Sequence, residues 1–270
     1  MLLRSPNASL RRKGPIIKRM PFLFEFMDQD WLPASLHATL RDVLGFHLRV
    51  TLGYYYRWAA DRAYEVARRS GIDSVAEVGA GAAGFSERLA VRVVRERAPV
   101  RVDVSDLRPD GGRYRQLERD FPGVLRAHLE PVDLLEWTMP PGTTLIVMSA
   151  AFHHVPFALR PRFLHVLARH RVLIFESVTR TIPSMLGCAI GFLPALLTPV
   201  YFVRLSSGRW RRFLWCWLIP VAPVMVAWDG VVSCLRCWTE DEWRAQLRQA
   251  GVNDGAVRIE RRRFSHLIGW

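Results

Sequence analysis

A glycine-rich segment that follows an acid is the part of this sequence whose residue types most clearly predict chemistry. The apolar stretch SVAEV ends in Glu77-Val-Gly79-Ala-Gly81-Ala-Ala-Gly84. Glycines allow a tight turn and a close approach of backbone to a ligand, and the amphipathic residues that follow predict a helix whose N-terminus faces the same ligand. The segment therefore predicts a cofactor site with Glu77 as one of its ligands; in the alternative interpretation, Glu77 only caps the loop.

Later apolar segments also end in polar side chains. VRVDVSD ends at Asp106, VLRAHLEPVD ends at Asp133, and TLIVMSA is followed by the adjacent His153 and His154. Since the carboxyl ends of parallel strands share one edge of a sheet, we expect these side chains to surround one site. Asp133 has a second interpretation, because an acid after Pro-Val also starts turns.

The two histidines follow a predicted buried strand, at the edge of the sheet where a ligand is expected. Either imidazole is a candidate general base, because the pKa of histidine lies near neutral pH. In the alternative interpretation, one ring packs against the sheet and the other ring hydrogen bonds to backbone.

Two further acids are candidates for contact with the substrate. Glu176 ends the segment LIFE, and Asp229 lies in WDGVVSCLRCWTEDE. Glu176 would orient the substrate or pair with Arg180, four residues later. Asp229 would contact the substrate or form a salt bridge with Arg236.

The elements that must position these residues follow from the hydrophobic pattern. Short Val/Ile/Leu-rich runs alternate with amphipathic segments over residues 71–180, which favours a mostly parallel sheet with helices on both faces. Residues 21–70 show helical periodicity and predict an N-terminal helical cap, or lid. Residues 229–270 predict a helix, with a capping box at Thr239 and Glu242, and terminal strands that complete the core. Residues 1–20 predict a flexible basic arm.

In this order, the motifs resemble the class I S-adenosylmethionine-dependent methyltransferases. In that family an acid precedes the glycine loop, an acid at the position of Asp106 binds the ribose hydroxyls, and a polar group at the position of Asp133 meets the adenine amine. The resemblance implies a Rossmann-like α/β sheet and S-adenosylmethionine as cofactor. A nicotinamide-dependent dehydrogenase would also need an acid at Asp106, but Asp133 and the histidine pair favour the methyltransferase.

A narrower resemblance extends over most of the chain. FEFMDQDW (24–31), SAAFHHVP (149–156), FESVTR (175–180) and the segment around Asp229 are similar to a largely uncharacterised bacterial branch of these enzymes. That branch also carries apolar residues after the fifth strand. Gly79 is a departure, since the glycine loop of the branch starts two positions later. The resemblance implies the fold and the cofactor but no particular substrate.

Apolar runs at 185–203 and 213–228 interrupt the alternation and predict an insertion over 181–228. Prolines break both runs, and an Arg-rich stretch lies between them. If both runs crossed a membrane, this stretch would lie on the side that the positive-inside rule disfavours. Both ends of the insertion must also return to one sheet. A helical hairpin in the headgroup region satisfies both constraints, with its tryptophans at the interface and its arginines on lipid phosphates. The alternatives are a substrate lid packed on the sheet and an oligomer interface.

The charge of the chain supports an anionic partner. There are 38 Lys and Arg against 25 Asp and Glu, which gives a formal net charge of +13. No nucleic-acid-binding motif is present, so an anionic membrane surface is the expected partner. The four cysteines lack the second CxxC pair of a zinc site, so no metal is expected. The N-terminus lacks the apolar core of a secretory signal, which predicts a cytoplasmic protein, peripheral on the inner face of the cell membrane.

Together these observations predict a membrane-associated methyltransferase that acts on an apolar or lipid-like acceptor. One alternative is a non-catalytic membrane adaptor that keeps the fold. Another is a soluble methyltransferase for small molecules, in which the apolar insertion is a substrate lid.

Overall fold

The computed structural model of the chain describes residues 23–50, 53–136, 144–203, 208–263 and 265–270, so the predicted arm at 1–20 lies outside the described residues. Within them, the strands are β1 Ser74–Val78, β2 Arg101–Ser105, β3 Leu125–Ala127, β4 Thr144–Ser149, β5 Arg171–Glu176, β6 Arg258–Arg262 and β7 Ser265–Gly269. They form one sheet in the order β3-β2-β1-β4-β5-β7-β6. Neighbouring strands from β1 to β5 pair in parallel, and β7 is antiparallel to β5 and β6.

Helices cover both faces of this sheet, as the hydrophobic alternation predicts. Side chains of β4 alternate between the faces: Leu145 and Val147 belong to one apolar core, and Ile146 and Met148 belong to the other. The helices are α1 Ala34–Val50, α2 Gly53–Arg69, α3 Gly84–Glu96, α4 Gly111–Asp120, α5 Arg160–Leu167, α6 Ile182–Ile190, α7 Phe192–Ala195, α8 Thr198–Tyr201, α9 Arg209–Phe213, α10 Val221–Arg236 and α11 Glu240–Gln249. Helices α2, α3 and α4 contribute to the first core, and α5 and α11 contribute to the second.

The two N-terminal helices have different partners. Helix α2 packs on the sheet side of the molecule, where the small side chains of Ala59, Ala63 and Ala67 permit close approach to its neighbours. Helix α1 instead contributes Leu40 and Val43 to a third apolar core, which it shares with residues of the insertion. The region predicted as one cap therefore joins the sheet to the insertion.

The insertion between β5 and α11 consists of helices α6 to α10 with a π-helical turn at Leu214–Leu218. No single helix in the described part of the chain is long and apolar enough to cross a membrane. The segments Arg209–Leu218 and Val221–Arg236 pass that test only as a pair, bent by 75° at their junction. Helix α10 continues through the predicted boundary at residue 228 and carries Asp229 and Arg236 into the sheet domain.

Two arginines of the insertion differ from the expectation that they meet lipid phosphates. Arg211 and Arg212 place guanidinium nitrogens 2.9 and 3.0 Å from the Asp42 carboxylate of α1. Arg212 is only 2% exposed and also donates to the carbonyl oxygen of Phe202. A charge this far from water needs a protein partner, so these two arginines hold the insertion on α1.

The predicted end of the third strand is wrong. Strand β3 pairs with β2 only from Leu125 to Ala127, and Asp133 follows in a loop rather than ending the strand. The last ladder partner on β2 is Val104, after which His128 donates to the Val104 carbonyl oxygen and the chain leaves the edge of the sheet. Pro131 has no N–H with which to continue the ladder.

Candidate functional site

The glycine segment forms the turn between β1 and α3. Gly79 and Gly81 have φ values of +70° and +52°, a region that favours glycine. A Cβ atom on Gly79 would lie 3.0 Å from the Cβ of Ala151, in the loop after β4. The turn therefore lies directly against the loop that carries the histidine pair. Gly84 begins α3 and has open space around its Cα.

Glu77 is buried at the end of β1, below the first turn of α3. Its Oε2 accepts hydrogen bonds from the backbone N–H and the hydroxyl of Ser86, at 3.1 and 2.5 Å. Burial raises the pKa of Glu77 to about 8, although the bonds from Ser86 lower it. The carboxylate thus attaches α3 to the strand. Direct contact between Glu77 and a cofactor stays a prediction.

Asp106 joins the glycine turn to the end of β2. One carboxylate oxygen accepts from the N–H of Gly81 at 2.8 Å, and the other accepts from the N–H of Arg108 at 2.7 Å. The Asp106 carbonyl oxygen accepts from the N–H of Val132, which brings the loop of Asp133 to the same edge. The Asp133 side chain is exposed and accepts from the N–H of Leu135, the geometry of a turn.

The acid-base candidates lie beside this turn. The Nδ1 of His153 is 2.6 Å from Oε2 of Glu176, and the backbone N–H of His153 donates to Oε1 of the same carboxylate. Both side chains are almost fully buried. With the carboxylate as acceptor, Nδ1 is the donor of this hydrogen bond and Nε2 is the ring nitrogen that lies outside it. The possible pairing of Glu176 with Arg180 is not formed, since Arg180 binds Glu242.

His154 instead faces the N-terminal segment, residues 24–31, which precedes α1. Its Nδ1 is 3.2 Å from Glu25 and 3.4 Å from Asp28, and its side chain is 39% exposed. Burial lowers the pKa of His154, but the two carboxylates outweigh this effect and raise it to about 9. His154 is therefore protonated at neutral pH, which leaves His153 as the imidazole of the pair that can accept a proton.

Asp229 holds the N-terminal segment in place. Its two carboxylate oxygens accept from the N–H groups of Phe26 and Met27, at 2.7 and 3.0 Å. Burial raises the pKa of Asp229 to about 7, against the effect of these two hydrogen bonds. The salt bridge considered between Asp229 and Arg236 is not formed, because Arg236 contacts Glu25 and Asp28.

Sequence reasoning assigned no role to three charged residues of this site, which are Glu25, Asp28 and Arg160, and it paired Arg236 with Asp229 instead of Glu25 and Asp28. Arg160 is fully buried and donates to the carbonyl oxygens of His153 and Val155. The segments around residues 24–31 and 228–242 carried the family resemblance, and this was the available signal for Glu25, Asp28 and Arg236. The position of Arg160 at the start of an amphipathic helix gave no such signal.

The predicted site residues thus form adjoining groups at one edge of the sheet. Glu77, Gly79, Gly81, Gly84, Asp106 and Asp133 surround the glycine turn, and His153, His154, Glu176 and Asp229 surround the loop after β4. The contact of Gly79 with Ala151 joins the groups. The arrangement can hold a ligand at the turn and handle a proton beside it.

Comparison with solved structures identifies the fold as that of the class I methyltransferases. The plantazolicin methyltransferase BpumL, solved with a monoazolic desmethylPZN analog and SAH, has a TM-score of 0.50 and 9% identity, over 83% of this chain and 73% of that chain. The mitomycin 7-O-methyltransferase MmcR has a TM-score of 0.44 and 15% identity, over 86% and 53%. A SAM-dependent methyltransferase from Aquifex aeolicus has a TM-score of 0.43 and 14% identity, over 76% and 87%.

Because the sequence identities are low and the chain covers only part of several of these structures, the similarities show the fold alone. The chain spans about half the length of several of these structures, for example 53% of MmcR and 45% of the citrinin polyketide synthase CMeT domain. No family model and no curated protein sequence matches the chain.

The raised pKa of Glu77 predicts a pH-dependent stability. The folded state keeps the Glu77 proton up to a pH of about 8, whereas the unfolded chain releases it near the ordinary value of 4.5. The free energy of unfolding should therefore fall as the pH rises between these values. Glu77→Gln should remove this part of the slope in urea unfolding series, and exposed Glu130→Gln should leave the slope unchanged. Equal slopes in wild type and Glu77→Gln would contradict the prediction.

Proposed function

We propose that this chain is a methyltransferase that uses S-adenosylmethionine and acts on an apolar or lipid-like acceptor at a membrane surface. The observation that carries the proposal is the placement of the glycine turn, Asp106 and the His153–Glu176 pair at one edge of a sheet with the class I methyltransferase strand order. Polar residues at this edge are where open α/β sheets bind ligands.

The residues at the turn fit this cofactor. Gly79 packs against Ala151, whereas a Cβ atom on Gly81 would meet nothing within 4 Å, so the backbone at Gly81 is open to a ligand. Asp106 remains partly exposed and has lone pairs beyond the two that its backbone donors use, as ribose hydroxyls require. Asp133 is exposed beside it for the adenine amine. Bound S-adenosylmethionine would supply an electrophilic methyl group.

The His153–Glu176 pair accounts for the remaining chemistry, which is the removal of the acceptor proton. Glu176 fixes the ring of His153 and stabilises the imidazolium that forms when Nε2 accepts a proton. Arg160 holds the carbonyl oxygen of His153 at 2.9 Å, which keeps the loop in position. Positioning of this kind contributes most of the rate in a direct transfer.

An apolar acceptor and a membrane surface are supported by the insertion. Several of its large apolar residues are more than half exposed, namely Leu186, Leu193, Leu197, Trp210, Leu218 and Val224. Large apolar side chains that are exposed together in one segment are typical of sites that bind a protein or a membrane. No Asp or Glu occurs between residues 181 and 228, and the chain carries a net charge of +13, so an anionic lipid surface complements the insertion.

Cofactor binding tests the first part of the proposal. Calorimetric titration should show S-adenosylmethionine or S-adenosylhomocysteine binding in the micromolar range, or about 8 kcal/mol. Asp106→Ala should weaken binding at least tenfold, because the ribose loses its acceptor and the turn loses its tie to β2. Asp120→Ala, on the exposed end of α4, should leave the affinity unchanged. Binding of NAD in place of S-adenosylhomocysteine would refute the assignment.

Transfer of labelled methyl tests the role of the histidine. With methyl-labelled S-adenosylmethionine and a lipid extract of the source cells, wild-type protein should move label into the organic phase. His153→Ala should lower this rate about a hundredfold while cofactor affinity is retained, because a general base contributes about that much. The control is His165→Ala, at an exposed position of α5. Normal transfer by His153→Ala would remove this residue from the mechanism.

Sedimentation with vesicles tests the membrane surface. The protein should pellet with anionic liposomes and stay largely bound in 1 M salt, where the Debye length is about 3 Å, because apolar burial persists when charges are screened. Leu197→Glu with Leu218→Glu should release it. The matched control is Val91→Glu with Val94→Glu, which adds the same charge to exposed positions of α3.

The oligomeric state distinguishes a membrane-binding insertion from the alternative, an insertion that forms an oligomer interface. A wild-type protein that ignores liposomes and forms dimers, which Leu197→Glu with Leu218→Glu dissociates, would assign the insertion to a protein interface.

A further inference from the structure

A carboxylate and two imidazoles converge beside the sheet edge. Glu25, His153 and His154 each place one potential ligand atom so that the atoms lie within 4.8 Å of one another. Asp28 adds an oxygen 3.4 Å from Nδ1 of His154. Two nitrogen ligands and one or two carboxylates form a ligand set that divalent transition metals bind well.

Neighbouring groups hold these potential ligands in place. His153 donates its Nδ1 proton to Glu176, which directs its lone pair to Nε2. Metal-binding histidines usually make this kind of bond to a carboxylate. Oε1 of Glu25 accepts from the hydroxyl of Ser233 at 3.2 Å and contacts Arg236 at 3.4 Å, so its other oxygen faces His154. The side chain of His154 is 39% exposed, which leaves an approach from solvent.

The charges around the cluster also call for a cation. The described residues that face it supply the carboxylates of Glu25, Asp28, Glu176 and Asp229, against the guanidinium groups of Arg160 and Arg236. An ion that takes the place of the proton on His154 leaves both imidazoles neutral, and with Asp229 ionised the four carboxylates then exceed the two guanidinium groups by two charges. Glu25 and Glu176 are each 2% exposed, so water compensates little of this excess. A divalent ion would neutralise it.

We propose that Glu25, His153 and His154 bind a divalent transition-metal ion such as Zn²⁺ or Mn²⁺. The four cysteines led us to expect no metal, whereas this site uses none of them. Metal binding goes beyond the proposed methyl transfer and does not depend on it. Only the role of the ion rests on the proposed function. With the ion on its Nε2, His153 would be a ligand instead of the general base, and an acceptor oxygen bound to the ion would lose its proton to water or to a nearby carboxylate more readily.

Titration of the full-length, metal-depleted protein with Zn²⁺ and with Mn²⁺ tests the proposal. Calorimetry should show one ion bound per chain. Glu25→Gln and His154→Gln should each weaken binding at least tenfold, because each replaces a metal ligand with an amide side chain of similar size. His165→Gln, which removes an exposed histidine of α5, should bind as wild type does. Absence of binding in the wild type, or equal binding in both ligand variants, would overturn the proposal.

The thiols are the competing ligands, since the sulfur atoms of Cys188 and Cys234 lie 3.7 Å apart. Cys188→Ser should retain the ion, and Co²⁺ bound to the protein should lack a sulfur-to-metal charge-transfer band. Loss of binding in Cys188→Ser would assign the metal to the thiols and overturn the proposal. Titration of Glu25→Gln with S-adenosylhomocysteine confirms that this variant is folded, and it tests the proposed function separately.

Discussion

A carboxylate buried at the end of an apolar strand must find hydrogen-bond donors within the protein, and this requirement organises the edge of the sheet that carries the candidate site. Glu176 meets it through the backbone N–H and the ring of His153. The pairing fixes the loop after β4 in one conformation, and Arg160 ties the same loop to α5 and α10 through three carbonyl oxygens. Because the loop also touches Gly79, the geometry of the glycine turn depends on the same interaction.

The N-terminal segment completes this edge by a second set of buried interactions. Asp229 accepts from successive backbone N–H groups, and Trp228 donates to the carbonyl oxygen of Phe24. These bonds satisfy main-chain groups that no helix or strand pairs, and they place Glu25 and Asp28 opposite His154. At the far end of the segment, Asp30 reaches Arg108 after β2. Residues 25–30 therefore extend from the histidine pair to the loop that follows β2.

Local patterns in the sequence predicted the parts of the structure that local physics decides. Strand–helix alternation gave the sheet, the positions of Gly79 and Gly81 gave the turn, and Thr239 with Glu242 gave the capping box. The end of β3 was predicted wrongly because the apolar residues before Asp133 resemble one continuous strand. In the structure, β3 pairs with β2 over only three residues. The partners of long-range charges were missed for a different reason.

Spacing along the chain carries no information about Asp42 meeting Arg212, or about Glu25 meeting His154, since each pair joins segments more than a hundred residues apart. Nearby partners such as Arg180 for Glu176 were the only ones that the sequence could suggest. A buried charge loses its hydration and therefore pairs with the opposite charge that the tertiary structure places nearby. These pairings are properties of the tertiary structure.

Helix α10 connects the exposed apolar insertion with the residues around the histidine pair. Near its start Val224 and Trp228 face solvent among the exposed apolar residues of the insertion, while Ala222 packs against α1. In its second half Asp229, Ser233 and Arg236 bind the N-terminal segment and the histidine loop. One helix therefore supplies residues both to the insertion and to the contacts that position the histidine loop, so the insertion shares a structural element with the candidate site.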